Sequence, residues 1–189
     1  SNTGKLFWKK QLPGKIIGEI HQVDLYKNSR WQLAFRTANR LMVLDRNGNV
    51  VKPFNIKLPM SSDPLPLAVF DYDNNRNYRF LIAQDRFLFM YNNQGKRLNG
   101  FTLKKVNSKI ISPPKHIRLQ RKDYILISLE DNTLKIVSRT GKDRVKVKGK
   151  IAFNNNEIFS YLNTFVTTDQ EGNLIQVDTK GNKVVSPLN

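Results

Sequence analysis

Apolar residues in this chain alternate with polar ones over short stretches, and the stretches return at a near-constant spacing. Four of them end in a glycine: Leu41 to Gly48, Leu88 to Gly95, Leu134 to Gly141 and Leu174 to Gly181. Ten residues before each leucine stand Trp31, Tyr78, Tyr124 and Thr164, and two further on come Leu33, Phe80, Leu126 and Val166. Large or β-branched residues at every second position predict strands. A polar break separates each such strand from the next apolar run, at 37–40, 84–86, 130–133 and 169–173, which reads as strand, hairpin, strand.

The turn chemistry agrees. Asp45, Asn92, Ser138 and Asp178 stand three residues before their glycines, where a short polar side chain can bond local backbone while glycine supplies the positive φ. A further strand follows each glycine, as at Val50 to Leu58 and Arg144 to Val147. Another candidate lies upstream, at Ile17 to Leu25, Pro66 to Tyr72 and His116 to Leu119. Four strands in a unit of roughly forty to fifty residues is the period of β-propeller blades.

The run before each glycine is apolar on both faces, as Leu41 and Val43 against Met42 and Leu44 show. Each sheet therefore needs cover on both sides, which stacked blades provide. The fold expected is all-β: about four four-stranded antiparallel blades, an arc of a larger ring, with a closed four-bladed ring as the alternative. Residues 1–16 would be the last strand of a preceding blade, with Thr3 to Trp8 as its turn glycine and strand. The four blades would be 17–60, 61–106, 107–150 and 151–189 of a single repeat domain. Ser1 and Asn2 read as a remnant of tag cleavage. A start inside a blade implies a fragment with exposed apolar end faces, through which two arcs could pair.

The run Thr3-Gly-Lys-Leu-Phe-Trp8 resembles the Thr-Gly-x-x-x-Trp signature of quinoprotein-like (PQQ-like) propeller repeats, and 43–48 and 177–181 are similar to the turn preceding it. The other copies depart from it, with Phe54, Phe101 and Val147 six residues past their glycines. The resemblance implies a blade-bracing role for Trp8. It also implies kinship with the non-catalytic type found in exported bacterial proteins, and hence a place in the periplasm or cell envelope. Quinone-dependent members stack their cofactor on adjacent cysteines. This chain has no cysteine, which disfavours a quinone enzyme; no cofactor and no enzymatic activity are expected, with a propeller enzyme related to the quinone-dependent dehydrogenases as the last alternative.

Charge adds one alternative to that picture. Lys and Arg number 32 against 15 Asp and Glu, a formal charge of +17, so anionic partners come into view: nucleic acid, acidic polysaccharide or an anionic membrane surface. The cations gather around fourth strands, most densely from Arg139 to Lys150, where they alternate in part with Val145 and Val147. Lysine on an edge strand also discourages edge-to-edge pairing. Trp31, Tyr78 and Phe80 lie near arginines but in the packing columns, so a core place is expected for them and nucleic-acid stacking is disfavoured.

The two histidines, His21 and His116, occupy non-equivalent places in candidate first strands. No phosphate loop, zinc spacing or nucleophile elbow is present, so no catalytic residues are assigned. Asp71, Asp73 and Asn75 alternate in a loop as calcium ligands do, although the glycine and the terminal acid of the calcium loop are missing; Asx turns explain the same residues. Asp24 and Asn28 echo this loop faintly. The longest apolar stretch, near Tyr124 to Leu129, is far too short to span a bilayer. The role expected is a non-enzymatic protein-interaction scaffold. Its contact surface is placed on the loops joining the fourth strand to the next first strand and the second to the third: Arg40, Ser61, Ser62, Asp63, Arg86, Asn107, Lys109 and Lys115.

Overall fold

The computed structural model describes residues 3–154 and 156–188; Ser1 and Asn2 lie outside them. Among the described residues no helix occurs and fifteen strands follow one another. The first sheet is β1 (Ile16–Val23), β2 (Gln32–Thr37), β3 (Arg40–Leu44) and β4 (Val50–Lys57). The second holds β5 (Ala68–Phe70), β6 (Arg79–Gln84) and β7 (Phe87–Asn92). The third holds β8 (Lys115–Leu119), β9 (Lys122–Ser128), β10 (Leu134–Val137) and β11 (Asp143–Lys146). The last holds β12 (Phe159–Tyr161), β13 (Thr164–Thr168), β14 (Leu174–Val177) and β15 (Lys183–Ser186). Each sheet is an antiparallel meander in which chain neighbours pair, as the repeated strand-hairpin wording requires.

Two expectations fail locally. The second sheet has three strands: past Gly95 the chain makes only the isolated bridges Tyr91 to Arg97 and Phe87 to Lys105. Residues 3–8 form no strand either. Instead Trp8 donates its indole N–H to the Arg46 carbonyl at 2.7 Å, and its ring lies where a Cβ on Gly48 would stand, 2.8 Å away.

The chain divides into two compact units, residues 1–85 with 89–98, and 86–88 with 99–189. In the first unit, one face of the first sheet (Val23, Ala34, Leu41, Val43, Val51, Phe54) packs with Leu67, Tyr78, Phe80, Ile82 and Tyr91. Phe54 meets Phe80 edge to face at 5.2 Å. The opposite face, Phe35, Met42 and Leu44, is covered by Trp8, Leu12, Ile16 and Val50. In the second unit Tyr124, Leu126, Leu134, Ile136 and Val145 pack with Ile151, Phe153, Ile158, Phe165, Ile175 and Val177.

Within each unit the turn glycines do more than reverse the chain. A Cβ on Gly95 would stand 2.9 Å from Pro53, on Gly141 2.7 Å from the Leu103 amide, and on Gly181 2.0 Å from the Lys146 carbonyl. Each turn is thus pressed against backbone or ring from the preceding repeat, so glycine is required by contact as well as by φ. Asp45 accepts the amides of Asn47 and Asn49, and Asp178 those of Lys180 and Asn182, each at 2.8 Å. Asn92 does the same for Gln94 and Lys96. Ser138 differs, meeting the Thr140 hydroxyl at 3.0 Å.

Candidate interaction surfaces

The connection from β1 to β2 and the connection from β5 to β6 are one loop built twice. In the first, the Asp24 carboxylate accepts the amides of Asn28 (3.1 Å) and Ser29 (2.8 Å), and Asn28 Oδ1 accepts the Arg30 amide. In the second, Asp71 accepts the amides of Asn75 (3.1 Å) and Arg76 (2.8 Å), and Asn75 Oδ1 accepts the Asn77 amide. Positive φ falls at matching places, Lys27 and Ser29 against Asn74 and Arg76. The two loops are joined: Arg76 Nη1 donates to Asp24 Oδ2 at 2.6 Å, and the Tyr78 hydroxyl accepts the Asp24 amide at 3.1 Å.

Asp24 is fully buried. Burial pushes its carboxyl up, but the amides of Ser29, Asn28 and Lys27 and the Arg76 guanidinium outweigh that and hold it below the ordinary carboxylate value. The oxygens of Asp71 and Asn75 that suggested calcium are bonded to backbone amides of their own loop, and Asp73 is exposed. Among the described residues no three His, Cys, Asp or Glu side chains converge as metal ligands do.

Of the contact residues expected from the sequence, Arg40, Ser61, Ser62 and Asp63 lie in the first unit. Arg40 opens β3 and donates to the Asn55 carbonyl at 3.3 Å. Ser61 donates to Asp85 Oδ2 at 3.0 Å and accepts the Asp63 amide, which fixes the 59–64 loop beside the β6–β7 hairpin. Ser62 and Asp63 are exposed. In the second unit the Arg86 carbonyl accepts the Val106 amide, and the Lys109 carbonyl accepts the Glu130 amide. Asn107 is exposed. Lys115 reaches Glu157 at 2.6 Å and lies over the Phe159 ring.

His21 contacts the Leu67 carbonyl at 2.9 Å. His116 meets Asp123 Oδ1 at 2.8 Å, while Arg139 Nε donates to Asp123 Oδ2 at 2.6 Å and Arg118 stands 3.8 Å off. Burial pushes the imidazole below its ordinary value; Asp123 pulls it back in part, and Arg139 and Arg118 add to the lowering. The carboxylate is thus shared between a histidine and guanidinium groups, an arrangement that ties strands β8 and β9 to the β10–β11 hairpin.

One expectation about exposure is overturned. Trp31 is 47% exposed, whereas Tyr78, at the equivalent place just before β6, is buried with Phe80 as expected, its hydroxyl accepting the Asp24 amide. The partial alternation from Lys142 to Lys150 is present, with Val145 buried and Val147 half-buried between exposed Arg144, Lys146 and Lys148. Val137 pairs with Asp143 and Ile136 with Val145, so Arg144 is an extra residue in a bulge. Its guanidinium lies 5.4 Å over the Tyr124 ring. Beyond it Lys148 turns to Asn182 and Lys150 to Asp131 and Thr133, so the cations form no single row.

Sequence reasoning did not find Arg36. It is fully buried in β2, and its guanidinium donates to the carbonyls of Thr37, Leu65, Ala83 and Ala38 and to Gln84 Oε1. The one signal in the sequence is a charge set inside an apolar alternation. The last sheet is exceptional in another way: Phe159, Tyr161 and Val184 on one of its faces are each more than half exposed. Cross-strand register aligns Phe159, Val166, Gln176 and Val184 in one row of that face.

Consecutive antiparallel meanders, each packed face to face on the next within its unit, are the arrangement that decides the fold. It is that of β-propeller blades. The comparison with solved structures agrees. BBS1N in a crystal structure with ARL6DN, soaked with lead, matches with a TM-score of 0.65 at 10% identity, over 93% of this chain and 55% of that one. BBS1N with ARL6DN soaked with mercury gives 0.60 at 16% identity, over 94% and 56%. The chain therefore spans a little over half the length of the propeller-like chains it matches, and at these identities the likeness is one of fold. No family model and no curated protein matches the sequence.

Proposed function

We propose that these blades form a non-enzymatic protein-interaction scaffold, part of a larger exported bacterial protein of the cell envelope related to the quinoprotein-like repeats. The observation that carries the scaffold reading is the last sheet. Its outer face bears Phe159, Tyr161 and Val184 in the open, while the corresponding face of the first sheet, that of Ala34 and Val43, is buried against Leu67, Phe80 and Ile82 of the following repeat. Blade faces of this kind are buried wherever a further sheet is at hand, and an open one is a surface suited to a protein partner. The propeller-like neighbour BBS1N, found in complex with ARL6DN, supports the reading. The loop residues Arg40, Ser61, Ser62, Asp63, Arg86, Asn107, Lys109 and Lys115 are proposed as a second contact surface. Export rests on the repeat wording alone.

The test places a photo-crosslinking amino acid at Val184, and separately at Ser62, in the full-length protein expressed in its own host. Discrete adducts of defined mass at Val184, lost when Phe159 is changed to Asp, are the expected result; no adduct at either position overturns the scaffold reading. Light scattering on the isolated chain decides whether the partner is a second copy, since a mass of one chain at high concentration removes that option.

A further inference from the structure

The β1–β2 loop of the first unit is exposed yet heavily braced. Asp24, Asn28 and Gln32 hold it from within: Gln32 Oε1 accepts the Leu25 amide at 2.8 Å, its amide group donates to the Arg30 carbonyl, and Asp24 takes two amides and the Arg76 guanidinium. Two L-residues, Lys27 and Ser29, are held at positive φ, a conformation that persists only where the surroundings fix it. What this framework presents is not inert. Tyr26 is 59% exposed and Trp31 47%, and Lys27 and Arg30 between them are exposed as well. Large rigid aromatics beside an arginine are the residues that carry binding energy, and a loop fixed in advance loses little entropy on engagement.

The adjoining β5–β6 loop supplies the rest of the chemistry. Bound to the first loop through Arg76 and Tyr78, it exposes Asp73, Asn74 and Asn75. A carboxylate and two amides suit hydroxyl-rich ligands, and Asp73 opposes a backbone that carries a negative charge at every unit. Aromatic rings suit the C–H faces of pyranose sugars, and Lys27 and Arg30 suit a carboxylate on some of them. We propose that the paired loops at 24–31 and 71–77 bind an acidic polysaccharide of sparse charge, a uronate-containing chain stacked on Trp31 and Tyr26 with its carboxylates on Arg30 and Lys27. This site lies within the first unit and is independent of the scaffold reading.

The probe is a hyaluronan hexasaccharide, which carries a carboxylate on every second sugar, titrated calorimetrically into the full chain at 50 and 200 mM salt, with neutral dextran oligosaccharide and a fifteen-residue deoxythymidine oligonucleotide as comparisons. Expected are binding of the hyaluronan hexasaccharide, silence from dextran, and weakening severalfold at the higher salt. Trp31→Ala weakens binding about tenfold, Tyr26→Ala and Arg30→Gln each weaken it severalfold, and Lys96→Ser with Lys180→Ser leaves it unchanged. All the altered side chains are exposed, so unfolding temperatures stay at the wild-type value. The proposal is overturned by absence of binding of the hyaluronan hexasaccharide, by equal loss in the Lys96/Lys180 variant, or by tighter binding of the oligonucleotide through the same residues.

Discussion

Arg36 offers the sharpest test of how the first unit is held together. Its guanidinium is buried with no carboxylate among its described partners; four backbone carbonyls and the Gln84 amide oxygen receive its N–H groups at 3.0–3.4 Å. Burial pulls its pKa down to about 10, so the group is charged at neutral pH and the loss of its water opposes folding. Against this stand hydrogen bonds from a charged donor, each contributing about 1.5–3 kcal/mol. Arg36→Met keeps most of the stem and removes the desolvation cost, but leaves buried carbonyls of Thr37, Leu65 and Ala83 without that donor. We expect a loss of about 3–4 kcal/mol. Arg36→Lys keeps the buried charge but has three donors on one nitrogen and cannot span acceptors on both sides of the fork, so its loss is at least as large. Urea unfolding at pH 7, followed by fluorescence and circular dichroism, reads both variants. Losses under about 1 kcal/mol for both, or lysine tolerated better than methionine, would refute the argument.

Gly181→Ala places a Cβ 2.0 Å from the Lys146 carbonyl at φ +86, whereas Gly172→Ala meets nothing within 4 Å at φ +83. Backbone strain is common to both, so the second is expected to cost about 1 kcal/mol and the first well over 2 kcal/mol; equal unfolding midpoints would show that the turn does not press on the preceding repeat. Acid should destabilise the chain through its turn aspartates. Asp24, Asp45, Asp131, Asp169 and Asp178 are all held below the ordinary value of 3.8. Such groups contribute stability that is fully present above 3.8 and is lost as pH falls through their lower folded values. Urea midpoints should hold from pH 7 to 5 and drop by pH 3, and an unchanged midpoint at pH 3 would contradict these bonds.

The sequence by itself determined the strand order, the hairpins and the glycine turns, because all three are local. Period-two alternation, an Asx side chain three residues before a glycine and a polar break between runs act within a few residues, and no distant contact is needed to read them. Asp45 with Gly48 and Asp178 with Gly181 were legible for that reason. The paired loops were half legible: the Asp71, Asp73, Asn75 pattern marked one and Asp24 with Asn28 echoed it faintly, while the matching positive φ values and amide bonds made the two equals.

What required the tertiary structure depends on residues far apart in the chain. Trp8 covers a turn forty residues away, its indole N–H on the Arg46 carbonyl, instead of extending a strand. Trp31 occupies the same packing column as Tyr78 in sequence yet is exposed, whereas Tyr78 finds the first sheet to pack against and the Asp24 amide for its hydroxyl. Arg36 reads as an interruption of an apolar strand until five acceptors, as distant as Ala83 and Gln84, converge on it. Local patterning sets which way a side chain can point along a strand; only the packing of one sheet on another decides whether it meets water, a ring or a carbonyl.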